Sequence, residues 1–196
     1  MNELLDPGNT LFILGFAVQL ISIPFIFFKD QRQSLFFSNT VLLIGLTLGL
    51  ISTLSSALFS FNEISLHSIF NNFIRLDGLG TYFLFIIQLV AIPTTIYNFS
   101  YLRHYIENNK SVKSFFTFYI ILLISTQFIV IANNAILFLV SWEVMSMSAY
   151  LAMILDKEKE EVQRGSFYYF AASHVLIFIL YIMFFLLHQQ TGSWFF

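Results

Sequence analysis

The chain has 196 residues, 58% of them hydrophobic and 19% aromatic, with Phe alone supplying 26. Only 10% are charged, against ~25% in ordinary soluble domains, and the mean hydropathy is +0.79. A soluble fold of this size could not hide so much apolar surface, so the chain reads as a membrane protein. The formal net charge of −2, with charges in short clusters rather than on a basic face, argues against nucleic acid as a partner. There is no Cys, which excludes thiolate-held iron–sulfur centres, Cys-ligated zinc, thiol catalysis and disulfides within this chain. Any redox chemistry coupled to it belongs to another chain.

The first residues, Met1-Asn2-Glu3-Leu4-Leu5-Asp6-Pro7, are acidic and lack the basic start of a secretory signal, so the first apolar segment is expected to stay as an anchor. A spanning helix takes about 20 mostly apolar residues. Stretches of that kind fall at 10–28, 35–59, 76–99, 114–132, 134–155 and 166–187. The predicted fold is all-α, a single membrane domain over 1–196 with six transmembrane helices. Continuous apolar runs without strict alternation favour helices over barrel strands. Only Asn133 and its neighbours separate the fourth and fifth stretches, which predicts a tight antiparallel hairpin. Pro24 and Pro93 lie inside spans and predict bends. In the segment 60–75, Leu66, Ile69, Phe70, Phe73 and Ile74 recur at helical spacing, which suits either a short surface helix or an extended loop.

Orientation follows from the Lys and Arg of the loops. One side receives Lys29, Arg32, Arg103, Lys110, Lys113, Lys157, Lys159 and Arg164, and the other only Arg75. The basic side is expected to be the cytoplasm, with both termini outside, in a bacterial inner membrane.

An ionisable side chain inside a span is costly, by roughly 3 kcal/mol at the centre, and so marks a candidate site. Two stand well inside these spans, Glu143 and His174. By helical rise Glu143 lies about 18 Å from the cytoplasmic boundary and His174 about 12 Å, a height difference that a water or two could bridge. A midplane carboxyl without a positive partner should keep its proton, and a cation that approaches or withdraws would make it release or take one up. That is what a proton relay requires. Ser146, Met147 and Tyr150 follow Glu143 at helical spacing on one face, with Ser141 and Ser148 nearby. Ser146, Tyr150 and Gln127 are candidate lining residues of such a path. The alternatives are structural: Glu143 as a protonated interhelical donor, His174 as a neutral imidazole on a carbonyl or hydroxyl, and Gln19, Gln88 and Gln127 as helix–helix glue. Asp77 and Arg75 suit a surface ion pair or a helix start. The His residues show no metal-ligand spacing, and no metal site is expected.

The stretch Asn133-Asn134-Ala135-Ile136-Leu137-Phe138-Leu139-Val140-Ser141-Trp142-Glu143-Val144-Met145-Ser146-Met147-Ser148-Ala149-Tyr150-Leu151 resembles the fifth-helix signature of antiporter-like proton-translocating subunits. These include the large membrane subunits of NADH-quinone oxidoreductase, the Mrp-type antiporters and the membrane arms of energy-converting hydrogenases. Arg75-Leu76-Asp77-Gly78-Leu79 resembles the opening of their third helix, and the region from Gln163 through His174 to Phe195 is most similar to the hydrogenase-4 component B branch. The resemblance implies that Glu143 is the family's midplane proton-path glutamate and that His174 stands where hydrogenase-type members carry a polar group. It implies a fold of about fourteen helices in two inverted repeats, of which six would be present here. The lysine that pairs with the glutamate in the family lies on a later helix, and no Lys or Arg stands inside any of these six stretches. The expected partners are therefore membrane lipid and other membrane subunits, including a chain supplying further helices. No cofactor is expected in this chain; quinone, iron–sulfur or nickel–iron centres would sit in partner subunits. The rival readings are a Mrp-type cation/proton antiporter subunit, a split-gene or truncated product acting as a scaffold or remnant, and a small self-associating channel.

Overall fold

A computed structural model describes residues 7–59, 73–107, 111–154 and 159–196 of the chain. The acidic start at 1–6, nearly all of the predicted surface segment at 60–75, and the loop residues Lys110 and Lys157 lie outside the described residues. Helix starts follow local capping chemistry. The Asp30 side chain accepts from Arg32 N at 3.0 Å, and α2 runs Gln31–Phe59, ahead of the predicted start at 35. Asp77 Oδ1 accepts from Gly80 N at 2.6 Å, which places Asp77 as the cap of α3, Gly78–Glu107. Asn134 caps α5, Ala135–Met153, by accepting from Ile136 N at 2.9 Å and Leu137 N at 3.4 Å.

α1, Pro7–Ile21, stops short of Pro24, and the chain passes through a 3₁₀ turn at Pro24–Phe27. The bend expected there is thus a helix end, because proline offers no N–H to continue the ladder. Pro93, by contrast, stays inside α3. α4 spans Lys113–Ile131. α6, Glu160–Thr191, begins well before the predicted 166. Glu160 and Glu161 suit its first turn, and Arg164 pairs with Glu160 one turn on at 2.6 Å. The helix closes on Gly192, whose φ of 70° is the left-handed conformation glycine adopts without penalty. All six helices are long and apolar enough to cross a membrane.

α1 packs on α2, α2 on α3, and α4 closes this group by touching all three. α5 lies antiparallel along α4 after the short link 132–134, and the extensive contacts of α6 are with α5. The tightest approach is α1 against α2. A Cβ at Gly45 would stand 2.8 Å from both Gln19 N and Gly15 O, and one at Gly15 2.8 Å from Gly49 N. Two helix backbones can come that close in lipid because the Gly45-x-x-x-Gly49 spacing removes side chains from one face.

Backbone bonds gather the loops at two ends. At one end Val112 N donates to Gln31 Oε1 and the Lys113 ammonium to Phe28 O. At the other, Arg75 N donates to Ile131 O, Asn133 N to Phe73 O, Ala135 N to Trp194 O and Phe196 N to Asn133 O, at 2.9–3.2 Å. Three short extended segments thus lie side by side over the α4–α5 turn. The loop holding Lys29 and Arg32 therefore shares an end with Lys113, and Arg75 lies at the opposite one.

Candidate functional site: an acid and an imidazole at mid-depth

Within α1–α4 the buried polar groups are uncharged and mostly closed on one another. Gln127 Nε2 donates to Gln19 Oε1 at 2.7 Å, and Gln19 Nε2 returns the bond at 3.4 Å. Both side chains are buried. Asn39 Nδ2 donates to Thr95 O at 2.8 Å. Thr95 Oγ1 donates to Ala91 O at 2.7 Å, which leaves the Tyr119 hydroxyl as donor in its 2.8 Å bond to Thr95 Oγ1. Thr53 Oγ1 lies 3.1 Å from Gln88 Oε1. These are the helix–helix contacts expected of Gln19, Gln88 and Gln127. Gln127 is held between helices and was also a candidate lining residue; the structure places it in this closed amide pair.

The α5–α6 pair differs in kind. Glu143 stands about 12 Å along its axis from Ala135 and about 15 Å from Met153, near mid-helix. His174 stands about 21 Å from Glu160 and about 26 Å from Thr191. Sequence spacing put the two groups at different heights, bridged by water. The structure instead brings Glu143 Oε1 to 3.3 Å from His174 Nε2, in direct contact. Axial rise measures Cα positions only, and two long side chains leaning toward each other close several ångströms.

The other nitrogen fixes the tautomer. His174 Nδ1 lies 2.9 Å from Phe170 O, and a carbonyl oxygen can only accept, so Nδ1 carries hydrogen. Nε2 then faces Glu143 either as an acceptor from a carboxylic acid or as the donor of an imidazolium. Both forms hold one proton between the two groups, and both are neutral overall, which suits a low-dielectric setting. Removing that proton would leave two acceptors face to face.

The surroundings are asymmetric. Glu143 Oε2 is buried with no hydrogen-bond partner among the described residues, as is Trp142 Nε1. The Glu143 side chain as a whole is 38% exposed and that of His174 25%, so the pair lies at the flank of the chain, not in an enclosed core. The Phe170 ring covers His174 at a 4.0 Å centroid separation, and Tyr150 packs on Phe170 at 4.8 Å. Ser146 is buried and donates to Glu143 O at 3.0 Å, while Met147 turns outward. Ser148 donates to Val144 O at 2.7 Å. Of the predicted lining residues, Tyr150 reaches the pair through Phe170 and Ser146 touches its backbone. Phe170 itself carried no sequence signal beyond its position one turn before His174.

Two apolar grooves flank α5. One, about 510 Å³, lies against α6 and is lined by Ile136, Leu139, Val140, Tyr181, Ile182, Phe185 and Trp194. The other, about 310 Å³, lies among α1, α4 and α5. Neither is lined by Glu143 or His174. Among the described residues no cluster of three His, Asp or Glu could hold a metal ion.

Six apolar helices and a mid-depth acid–imidazole contact define an α-helical integral membrane protein with an ionisable pair on its flank. No family model matches the chain. Its sequence is similar to hydrogenase-4 component B of Escherichia coli (strain K12), 28% identical over 120 residues, covering 61% of this chain and 17% of that protein. It is also similar to the antiporter subunit mnhA2 of Staphylococcus epidermidis, 33% identical over 120 residues with 61% and 15% covered. The same subunit of Staphylococcus aureus (strain MRSA252) is 30% identical over 121 residues. The chain spans about a sixth of the length of the curated relatives it matches. The similarity is to antiporter-like membrane subunits, as the Trp142-Glu143 stretch led us to expect.

Proposed function

We propose that the chain is the proton-handling part of an antiporter-like subunit in a multisubunit membrane complex. The observation that carries this reading is the direct contact of Glu143 and His174 at mid-depth, because an acid–imidazole pair holds one movable proton between its two groups. Similarity to hydrogenase-4 component B and to the mnhA2 subunit supports a place among ion-translocating membrane subunits. The gain or loss of the proton is coupled to a cation brought near the carboxyl by another membrane segment. The outward flank of α6, where only 11% of the spanning window is buried, fits further membrane helices packed beside it. With no Cys in this chain, quinone, iron–sulfur or nickel–iron centres of a hydrogenase- or NADH-quinone oxidoreductase-type complex belong to partner subunits. The basic end faces the cytoplasm of a bacterial inner membrane and the Arg75 end faces outward, by the distribution of Lys and Arg.

A second reading, exchange of a metal cation for protons, draws on the antiporter relatives. Both readings put the proton on Glu143. The test is Glu143→Gln in the intact complex, reconstituted into vesicles, with proton flux read by a pH-sensitive dye. Normal assembly with flux at least tenfold lower is expected, and unchanged flux would refute the reading. Flux that depends on added sodium or potassium would select exchange over redox-driven pumping.

A further inference from the structure

We infer that His174 is the closed end of the proton site, a store reached only through Glu143, and not a through-conduit toward the cytoplasm. The inference rests on the function proposed above and concerns the direction of proton passage.

A histidine passes protons through by taking one on one nitrogen and giving another from the opposite nitrogen. His174 is not arranged to do so. Its Nδ1–H is given to Phe170 O at 2.9 Å, a main-chain carbonyl that has no proton to return and no useful basicity. The Phe170 ring lies over the imidazole with centroids 4.0 Å apart, and Tyr150 backs that ring at 4.8 Å. Phe170 thus acts twice as a positioning residue, fixing the tautomer with its carbonyl and covering the ring with its side chain. The aromatic pair stands on the α5 end nearest Met153, between His174 and the basic loops. Nε2 is the working nitrogen, and it faces Glu143 Oε1 at 3.3 Å.

Glu143 is built the opposite way. One oxygen meets His174, and the second, Oε2, has no hydrogen-bond partner among the described residues. Of the two groups, the carboxyl alone has an uncommitted proton-accepting atom. In the loading step a proton arriving at the carboxylate bonds to a Glu143 oxygen and passes along the Oε1–Nε2 contact, leaving carboxylate and imidazolium. In the unloading step the Nε2–H bond breaks, the proton returns to Oε1, and Glu143 releases it. Charge and protons balance, and nothing leaves through Nδ1. The elements around the pair also carry Lys113 and Tyr119 on α4, Tyr150 on α5, and Glu160, Glu161, Arg164, Tyr168, Tyr169, Tyr181 and His188 on α6. Tyr150 on α5 is separated from it by Phe170, Tyr119 on α4 is tied to Thr95, and Glu160 at the start of α6 is tied to Arg164.

A store and a conduit respond differently to removal of the imidazole. Without the conduit the path is cut, and His174→Ala would behave like Glu143→Gln at every pH. Without the store, Glu143 still exchanges protons through its own oxygens, but the pair has lost the imidazole on which the loaded proton comes to rest. Proton flux in the reconstituted complex is then expected to persist well above the Glu143→Gln level, with its pH profile displaced from the parent's. His174→Gln keeps a donor at the Nε2 position but cannot carry charge, and is expected to do the same should His174→Ala disturb assembly. Flux reduced to the Glu143→Gln level at all pH values, with assembly intact, would overturn the inference, as would full flux with an undisplaced profile. Were Glu143→Gln itself to leave flux unchanged, the functional reading would fail, which is a separable result.

Discussion

The α1–α4 group and the α5–α6 arm solve opposite problems with the same apolar material. The first buries neutral amides and hydroxyls, pairs most of them across helices, and brings two backbones together at Gly45 and Gly49. The second leaves its outer helix sparsely covered and places its two ionisable groups against each other at the flank. Neutral polar contacts inside a membrane supply modest, fixed adhesion. An acid–imidazole contact supplies little adhesion but one movable charge. One region therefore holds the chain together, and the other can change state.

Substitutions should separate the two regions by what they damage. Gly45→Leu forces a branched side chain against the main-chain atoms Gln19 N and Gly15 O and should produce the largest loss of stability, about 3 kcal/mol, with little folded protein recovered. Unfolding in bicelles, followed by circular dichroism, would measure it. Gln127→Leu strands the Gln19 amide inside the bundle and should cost about 1–2 kcal/mol by the same assay. Replacing both glutamines should cost less than the two single changes summed. Asn134→Ala removes the cap of α5 and should cost about 1 kcal/mol. Glu143→Gln should be the mildest in stability, within about 0.5 kcal/mol of the parent, although it is the most damaging to transport. A stability loss from Glu143→Gln as large as that from Gln127→Leu would erase the distinction.

The sequence revealed the fold readily because spanning helices announce themselves by length and apolarity, and the Lys and Arg of the loops sort by end. It also exposed Glu143 and His174, since charge at membrane depth is conspicuous wherever it occurs. Their direct contact was hidden, because helix rotation and side-chain lean leave no trace in spacing. Helix ends were placed imprecisely for a related reason. Hydropathy marks the apolar run, whereas Asp30, Asp77 and Asn134 decide where the hydrogen-bond ladder begins. Two signals were present and informative: the Gly45-x-x-x-Gly49 spacing for the α1–α2 contact, and Asn134 ahead of an apolar run for the cap. Phe170 was illegible, because its main-chain carbonyl does the work and no residue type encodes that.

The most direct test is an infrared titration of the reconstituted protein, recorded for the parent and for Glu143→Gln and subtracted. A pH-dependent signal of the pair, a carboxylic C=O band or an imidazolium ring band, that is lost in Glu143→Gln and altered in His174→Ala is the expected result. A difference spectrum in which neither band changes with pH would mean that the pair never gains or loses its proton, and would contradict the account at its base.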